Sequence, residues 1–239
     1  MYQVNRDNII KIKWAAENLI PAAIRDNRYF AKLLYFIVLG KKGKYYLDFY
    51  QNFLHMSSSQ ISEIYASIYK DGHPSNWESD LTKPCLKRIE SEIIGPKIID
   101  IGCGNGFLLN RLIGIYPDYH FVGTDFHDRS SESLNKKIEY KSINLEKVLP
   151  FPDKSFDTVI CTHVLEHILN FQQLMLELRR ITSKKLIIVV PQERPYKYNF
   201  GMHIHFFPYK EDFIYRVGKR KNQNISEVGG DLYYTEEYI

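Results

Sequence analysis

Residues 98–106 read IIDIGCGNG, and this stretch decides the fold. Three isoleucines around a single acid, Asp100, predict a buried strand, and glycines follow at positions 102, 104 and 106. Glycine tolerates positive φ angles and lets the backbone approach a ligand closely. The apolar run Phe107–Ile115 comes directly afterwards and predicts a helix whose first N–H groups lie at that turn. We therefore expect a strand–turn–helix unit that binds a ligand at its turn.

Strands and helices alternate along the chain after residue 95. This alternation favours parallel strands joined by crossover helices. A Gly-Gly-Asp turn near the end of the chain predicts a final hairpin. The fold class predicted is α/β, a doubly wound, Rossmann-like, mostly parallel sheet that ends in an antiparallel hairpin. The predicted strands are Lys97–Ile101, His120–Thr124, Tyr140–Ile143, Phe156–Cys161, Leu186–Val190, Asn224–Val228 and Leu232–Ile239, and the predicted helices are Phe107–Ile115, Glu166–Ile181 and Tyr209–Val217.

The chain before residue 95 has apolar residues at helical spacing instead. Ser57 and Gln60 have the spacing of a capping box, which marks the start of one helix. The apolar run Leu33–Leu39 is far shorter than the ~20 residues that span a membrane, and we interpret it as part of a buried helix. These patterns predict two domains, a helical N-terminal cap at residues 1–94 and a ligand-binding domain at residues 95–239.

Composition narrows the class of protein. The 239 residues are 44% hydrophobic and 25% charged, which is typical of a soluble globular chain. The net charge is only +4, and the cations form no dense stripe, so a nucleic-acid partner is not expected. Three widely spaced cysteines lack a metal-ligand pattern, which predicts no metal site and a reducing, cytoplasmic compartment. Neither a secretory leader nor a membrane span is predicted.

The spacing of the glycines distinguishes between classes of nucleotide ligand. A dinucleotide turn reads G-x-G-x-x-G and holds a pyrophosphate, whereas this turn reads G-x-G-x-G with Asp100 two residues before it. A carboxylate there would repel a pyrophosphate and suit an ammonium group. The stretch resembles motif I of the class I S-adenosylmethionine-dependent methyltransferases. The resemblance implies that S-adenosylmethionine is the cofactor and that its methionine end is held by Asp100, Gly102, Cys103, Gly104 and Gly106.

Three later segments resemble the same family, in the same order along the chain. Asp125 ends the second strand, and the resemblance implies that it binds the ribose with Phe126 beside the adenine. Asn144 and Leu145 fall where the family holds the adenine edge, although many members have Asp at the position of Asn144. Residues 161–167, CTHVLEH, resemble the turn of the small-molecule branch that closes over the sulfonium and faces the acceptor. Thr162 in this turn is the last cofactor ligand implied.

Histidines are the candidate bases, because neutral imidazole accepts a proton near pH 7. His163 follows the fourth strand and His205 precedes an aromatic pair after the fifth, and both are proposed as catalytic. For each, support of the surrounding loop is an alternative role. His203 and Trp77 are candidate contacts of the substrate. His203 and His205 lack a third residue with metal-ligand spacing, so no metal is assigned.

The combined segments predict transfer of a methyl group to oxygen or nitrogen of a small polar acceptor. A sugar or nucleotide-sugar of surface-glycan and polysaccharide biosynthesis and an amine metabolite are the two acceptor classes considered. The alternatives are an RNA methyltransferase and a binding module that keeps the cofactor but has lost catalysis. The sequence leaves the oligomeric state and the reacting atom open.

Overall fold

The computed structural model describes residue 15 and residues 18–40, 43–57, 59–61, 63–64, 79–126, 134–195, 197–198 and 201–238. The chain forms two compact units. Residues 1–77 and 194–204 make the first, and residues 78–193 and 205–239 make the second. The helix Lys83–Glu92, which the sequence placed in the cap, belongs to the second unit because Cys85, Leu86 and Ile89 are buried in its core.

The first unit is helical. Helix α1 is Ala22–Arg25, α2 is Arg28–Leu39 and α3 is Gly43–Asn52, followed by a 3-10 turn at Phe53–His55. The Asn27 side chain caps α2 by accepting hydrogen bonds from the amides of residues 29 and 30. Ser57 and Gln60 form the capping box that their spacing predicts, since each side chain accepts from the other residue's amide.

Helix α2 corrects one interpretation of the sequence. Its Ala31 and Tyr35 are buried, and the Tyr35 ring packs on Tyr46 of α3 at 5.6 Å between centroids. Leu33 and Phe36, however, are 58% and 69% exposed. The prediction that Leu33–Leu39 is a buried helix was therefore wrong, because only one side of α2 packs against the described residues of its unit.

The second unit is built on a seven-stranded sheet. In chain order its elements are α4 (Lys83–Glu92), β1 (Lys97–Ile101), α5 (Phe107–Ile115), β2 (His120–Asp125), β3 (Glu139–Ser142), β4 (Phe156–Thr162), a 3-10 turn (Leu165–His167), α6 (Phe171–Ile181), β5 (Thr182–Pro191), α7 (Lys210–Val217), β6 (Gln223–Val228) and β7 (Asp231–Glu237). The strand order in the sheet is β3-β2-β1-β4-β5-β7-β6, with all pairs parallel except those of β7 with β5 and β6. This order confirms the predicted fold class.

Both faces of this sheet are covered, as the continuous apolar strands require. Ile99 and Ile101 point into the core that α6 and α7 close, and Ile98 points into the core that α4 and α5 close. Buried β1 is thus fixed from both sides. Among the helices that the structure describes, none combines the length and the apolar character needed to cross a membrane.

Two elements begin more than two residues away from their predicted starts. The helix predicted over Glu166–Ile181 divides into the 3-10 turn and α6, because the Asn170 side chain caps α6 by accepting from the Gln173 amide. Strand β5 begins at Thr182 rather than Leu186. Lys185 is tolerated in that strand because its ammonium lies 3.2 Å from a carboxylate oxygen of both Glu92 and Glu237.

Candidate functional site

The carboxyl ends of the parallel strands define the candidate site. The chain places β2 and β3 on one side of β1 and β4 and β5 on the other. Ligands of open α/β sheets bind in the crevice at such a reversal of strand order. Two predicted site residues, Asp125 and Thr162, end β2 and β4 at this edge, and β1 ends there at Ile101, directly before the glycine turn.

The glycine turn is held against β2 by its own backbone. The amides of Gly102 and Cys103 donate to the Thr124 carbonyl oxygen at 2.7 and 2.8 Å. Gly102 has φ +79°, and an added Cβ would collide with Val164. Gly106 has φ +77° and is similarly close to Leu134. Both glycines are therefore required by backbone conformation and packing.

Gly104 differs from these two glycines because the described residues leave open space beside it. Its φ is +55°, yet an added Cβ would meet no described atom within 4 Å. Its amide donates to Oδ2 of Asp125 at 2.9 Å, which ties the turn to the end of β2. The turn therefore offers an open backbone cradle with a carboxylate at its side.

Asp100 supplies a second carboxylate at this end of β1. Its side chain is buried, and its Oδ1 has no hydrogen-bond partner among the described residues. Burial, and then the charge of Asp125, raise the pKa of Asp100 to about 7. A buried carboxyl with an unsatisfied oxygen is stabilised by a cationic ligand, so the site fits an ammonium group better than a phosphate.

This shifted pKa predicts how the stability of the ligand-free protein depends on pH. Between pH ~4 and ~7 the unfolded chain releases the Asp100 proton while the folded state keeps it, so stability falls as pH rises. Relative to Asp100→Asn, the wild type is expected to lose roughly 2–4 kcal/mol of unfolding free energy over that range, at about 1.4 kcal/mol per pKa unit. Urea unfolding at several pH values measures the difference. Parallel curves for the two proteins would show that Asp100 does not titrate there.

Comparison with known proteins identifies a domain within the chain. A family profile described as "Methyltransferase domain" matches residues 99–190, from β1 to the end of β5. The part of the chain that this profile matches is a class I S-adenosylmethionine-dependent methyltransferase domain. Its cofactor is S-adenosylmethionine, and the open turn at Gly104 and the unsatisfied oxygen of Asp100 fit the methionine end of that molecule.

Individual relatives of the methyltransferase match over shorter stretches. The mitochondrial ubiquinone biosynthesis O-methyltransferase of Bos taurus is 37% identical over 33% of this chain and 23% of its own length. The tRNA U34 carboxymethyltransferase of Nautilia profundicola is 27% identical over 55% of this chain and 49% of its own length. The chain thus spans about a quarter to a half of these curated relatives. A solved methyltransferase from Aquifex aeolicus shares the fold, with TM-score 0.52 and 18% identity over 76% of this chain and 98% of its own.

The residues expected at the adenine end of the methyltransferase site lie on the loops after β2 and β3. Phe126 is 41% exposed beside Asp125. The Asn144 side-chain oxygen accepts from the Glu146 amide at 2.9 Å, so it shapes its own turn and has one lone pair left for adenine. Leu145 is buried in the core below. The assignment of these side chains to the cofactor stays a prediction.

His163 is enclosed by two acids of the methyltransferase core. Its Nδ1 lies 3.4 Å from Glu166 Oε1 and its Nε2 lies 3.7 Å from Asp231 Oδ2, and all three side chains are at least nine-tenths buried. Its backbone has the unusual φ of +54°, and its amide donates to Val189. Both ring nitrogens thus face carboxylates, an arrangement that supports the loop after β4.

His205 has one ring nitrogen that can accept a proton. Its Nε2 lies 2.9 and 3.3 Å from the carbonyl oxygens of Ile168 and Leu169, which only accept, so Nε2 carries the proton and Nδ1 is an acceptor. Burial lowers the pKa of His205, only partly offset by those hydrogen bonds, so its ring is neutral near pH 7. Its amide donates to Glu166, which places it beside the loop after β4.

The two predicted substrate contacts are Trp77 and His203. Trp77 is outside the described residues. His203 belongs to the first unit, where it is buried and its ring packs over Gly201, which has no room for a side chain. The assignment of both residues to substrate stays a prediction.

Sequence reasoning missed the two acids around His163. Glu166 lies inside the quoted CTHVLEH segment, and Asp231 lies in the hairpin, where it was interpreted as a turn residue. The sequence signal for Glu166 was its position three residues after His163. The structure buries the Glu166 side chain in the turn that follows His163. Asp231, 68 positions further along, had no local signal.

Proposed function

We propose that this methyltransferase methylates a hydroxyl oxygen of its acceptor, with His205 as the general base. The observation that carries the proposal is the neutral imidazole of His205, whose Nδ1 is left as an acceptor beside the loop after β4. A hydroxyl must lose its proton during methyl transfer, and a neutral imidazole can take it.

The other residues of the site position the reactants. In this proposal Asp125 accepts hydrogen bonds from ribose hydroxyls, and its hydrogen bond from the Gly104 amide supports that role. In this proposal Asp100 neutralises the ammonium group of the methionine end, which its buried, unsatisfied oxygen supports. When bound, S-adenosylmethionine supplies a methyl group on a positively charged sulfur, which is already activated for transfer. The protein then contributes mainly orientation and removal of the acceptor's proton.

The name of the bovine relative supports oxygen as the methylated atom, although that match covers 23% of the relative's length. It favours an acceptor of the phenolic or quinol kind over the sugars and amines expected from sequence. Neither of the two relatives compared carries a name that points to a sugar or an amine. Those two acceptor classes and the cytoplasmic location therefore stay predictions.

An RNA acceptor is the second candidate, because one relative is named for tRNA. Non-specific RNA binding depends on a surface dense in cations. The net charge of +4 and 28 acidic residues among 239 speak against such a surface.

One experiment compares the acceptors. The protein is incubated with S-adenosylmethionine and with a catechol, a nucleotide-sugar, a primary amine or bulk tRNA, and the release of S-adenosylhomocysteine is measured. We expect turnover with the catechol. We also expect no tRNA complex at physiological ionic strength, because electrostatic RNA binding weakens steeply as salt is added. Turnover with tRNA alone would replace the proposed acceptor, and no turnover with any acceptor would favour the non-catalytic binding module.

A further inference from the structure

Helix α2 of the first unit has three faces along its length. One face, with Ala31 and Tyr35, is buried against α3, where Gly43 comes so close to Tyr35 that an added Cβ would lie 2.9 Å away. This contact fixes the rotation of α2 about its own axis. The remaining two faces are therefore presented outward in a defined orientation.

The second face is apolar and exposed. Tyr29, Leu33, Phe36 and Ile37 are 81%, 58%, 69% and 69% exposed. They stand at positions i, i+4, i+7 and i+8, which a helix places within an arc of about 100°. A contiguous exposed stripe of large apolar side chains on a helix marks an interaction surface. We call these four residues the α2 stripe.

The third face is basic and borders the stripe. Arg28 and Lys32 are exposed and follow each other one turn apart, between the buried face and the α2 stripe. Residues 21–44 contain six lysines and arginines and a single acid, Asp26. That acid is already paired with Arg25 at 3.0 Å. The segment of sequence that contains the stripe thus carries an excess of positive charge.

We propose that the α2 stripe docks onto an anionic lipid surface. An amphipathic helix with aromatic and aliphatic residues on one face and cations beside it lies in the plane of a bilayer interface. The four apolar side chains would enter the boundary between headgroups and acyl chains, while Arg28 and Lys32 contact lipid phosphates. Charge complementarity favours this occupant over an uncharged protein surface. The proposal does not depend on the acceptor or on catalysis.

Vesicle co-sedimentation of the full chain tests the proposal. We expect binding to phosphatidylcholine vesicles that contain about one third phosphatidylglycerol, and binding at least ~10-fold weaker to pure phosphatidylcholine or at high salt. The double variant Leu33→Asp/Phe36→Asp should reduce the affinity at least ~10-fold. The matched control is Tyr215→Asp, which changes an 88% exposed aromatic on helix α7 and should leave binding unchanged.

A second variant covers the case in which the aspartates disturb folding. Arg28→Gln/Lys32→Gln alters only exposed charges and should weaken binding to anionic vesicles about fivefold per charge removed. The proposal is overturned if the wild type fails to bind anionic vesicles, or if Tyr215→Asp weakens binding as much as the stripe variant. It is also overturned if light scattering shows a dimer that the stripe variant dissociates while vesicle binding is unchanged, because a second copy of the chain then covers the stripe.

Discussion

Replacing Gly104 with valine is expected to abolish detectable binding of S-adenosylmethionine and to leave the protein folded. No described atom lies within 4 Å of the position that a Cβ would take, so the protein itself can accommodate the side chain. The same open space is where the backbone must approach the cofactor. The valine would fill it and would also strain the turn at φ +55°, at a cost of ~1–2 kcal/mol.

The matched control separates these two effects. Gly218, after helix α7, has a φ of +80° and equally open space, but it lies outside the glycine turn. Gly218→Val should cause backbone strain of its own, because Gly218 has φ +80° and ψ 132°, and should leave cofactor affinity normal by calorimetry. If Gly104→Val binds S-adenosylmethionine as the wild type does, the cofactor does not approach this turn, and the site is wrongly placed.

The second large effect is expected at His205. With a hydroxyl acceptor, His205→Ala should lower kcat about 10²–10⁴-fold, which is the usual contribution of a general base. Affinity for S-adenosylmethionine should stay within about threefold, because the change affects the chemical step rather than cofactor binding. In the wild type, kcat should rise with pH through a pKa below 6.5 and then level off, since burial lowers the pKa and the neutral imidazole is the active form.

Two further variants distinguish a base from a structural residue. Glutamine at position 205 can still donate to the carbonyl oxygens of Ile168 and Leu169 but cannot take a proton, so His205→Gln should be as slow as His205→Ala while keeping the wild-type Tm. His163→Ala should instead act mainly on stability. It should lower the free energy of unfolding by ~3 kcal/mol, because it removes the imidazole that lies between two buried carboxylates. Full activity in His205→Gln would exclude His205 as the base.

The parts of the fold that depend on local pattern could be predicted from sequence. Strand β1 and helix α5 begin and end where the apolar runs predict, because both signals are contained in neighbouring residues. The glycine turn was predictable for the same reason. Its spacing alone fixes where positive φ angles are needed, and Gly102, Gly104 and Gly106 all adopt them.

Features that depend on distant contacts could not be predicted. The environment of His163 is set by Asp231, which reaches it only because β7 pairs with β5 in the final sheet. The exposure of Leu33 and Phe36 depends on which side of α2 packs on α3, and helical spacing alone does not determine that. The raised pKa of Asp100 likewise arises from burial and from Asp125, 25 positions away.

Calorimetric titration with S-adenosylmethionine of the wild type, Asp125→Ala and Asp125→Asn tests whether the cofactor binds at the glycine turn. We expect saturable binding of one molecule per wild-type chain. Asp125→Ala should lose ~1.5–3 kcal/mol, or about 10–150-fold in Kd, because charge-assisted hydrogen bonds to the ribose are removed. Asp125→Asn keeps an oxygen that can accept from the Gly104 amide and should lie between the two. An absence of binding by the wild type, or the same Kd in all three proteins, would show that the cofactor does not bind at the glycine turn and Asp125.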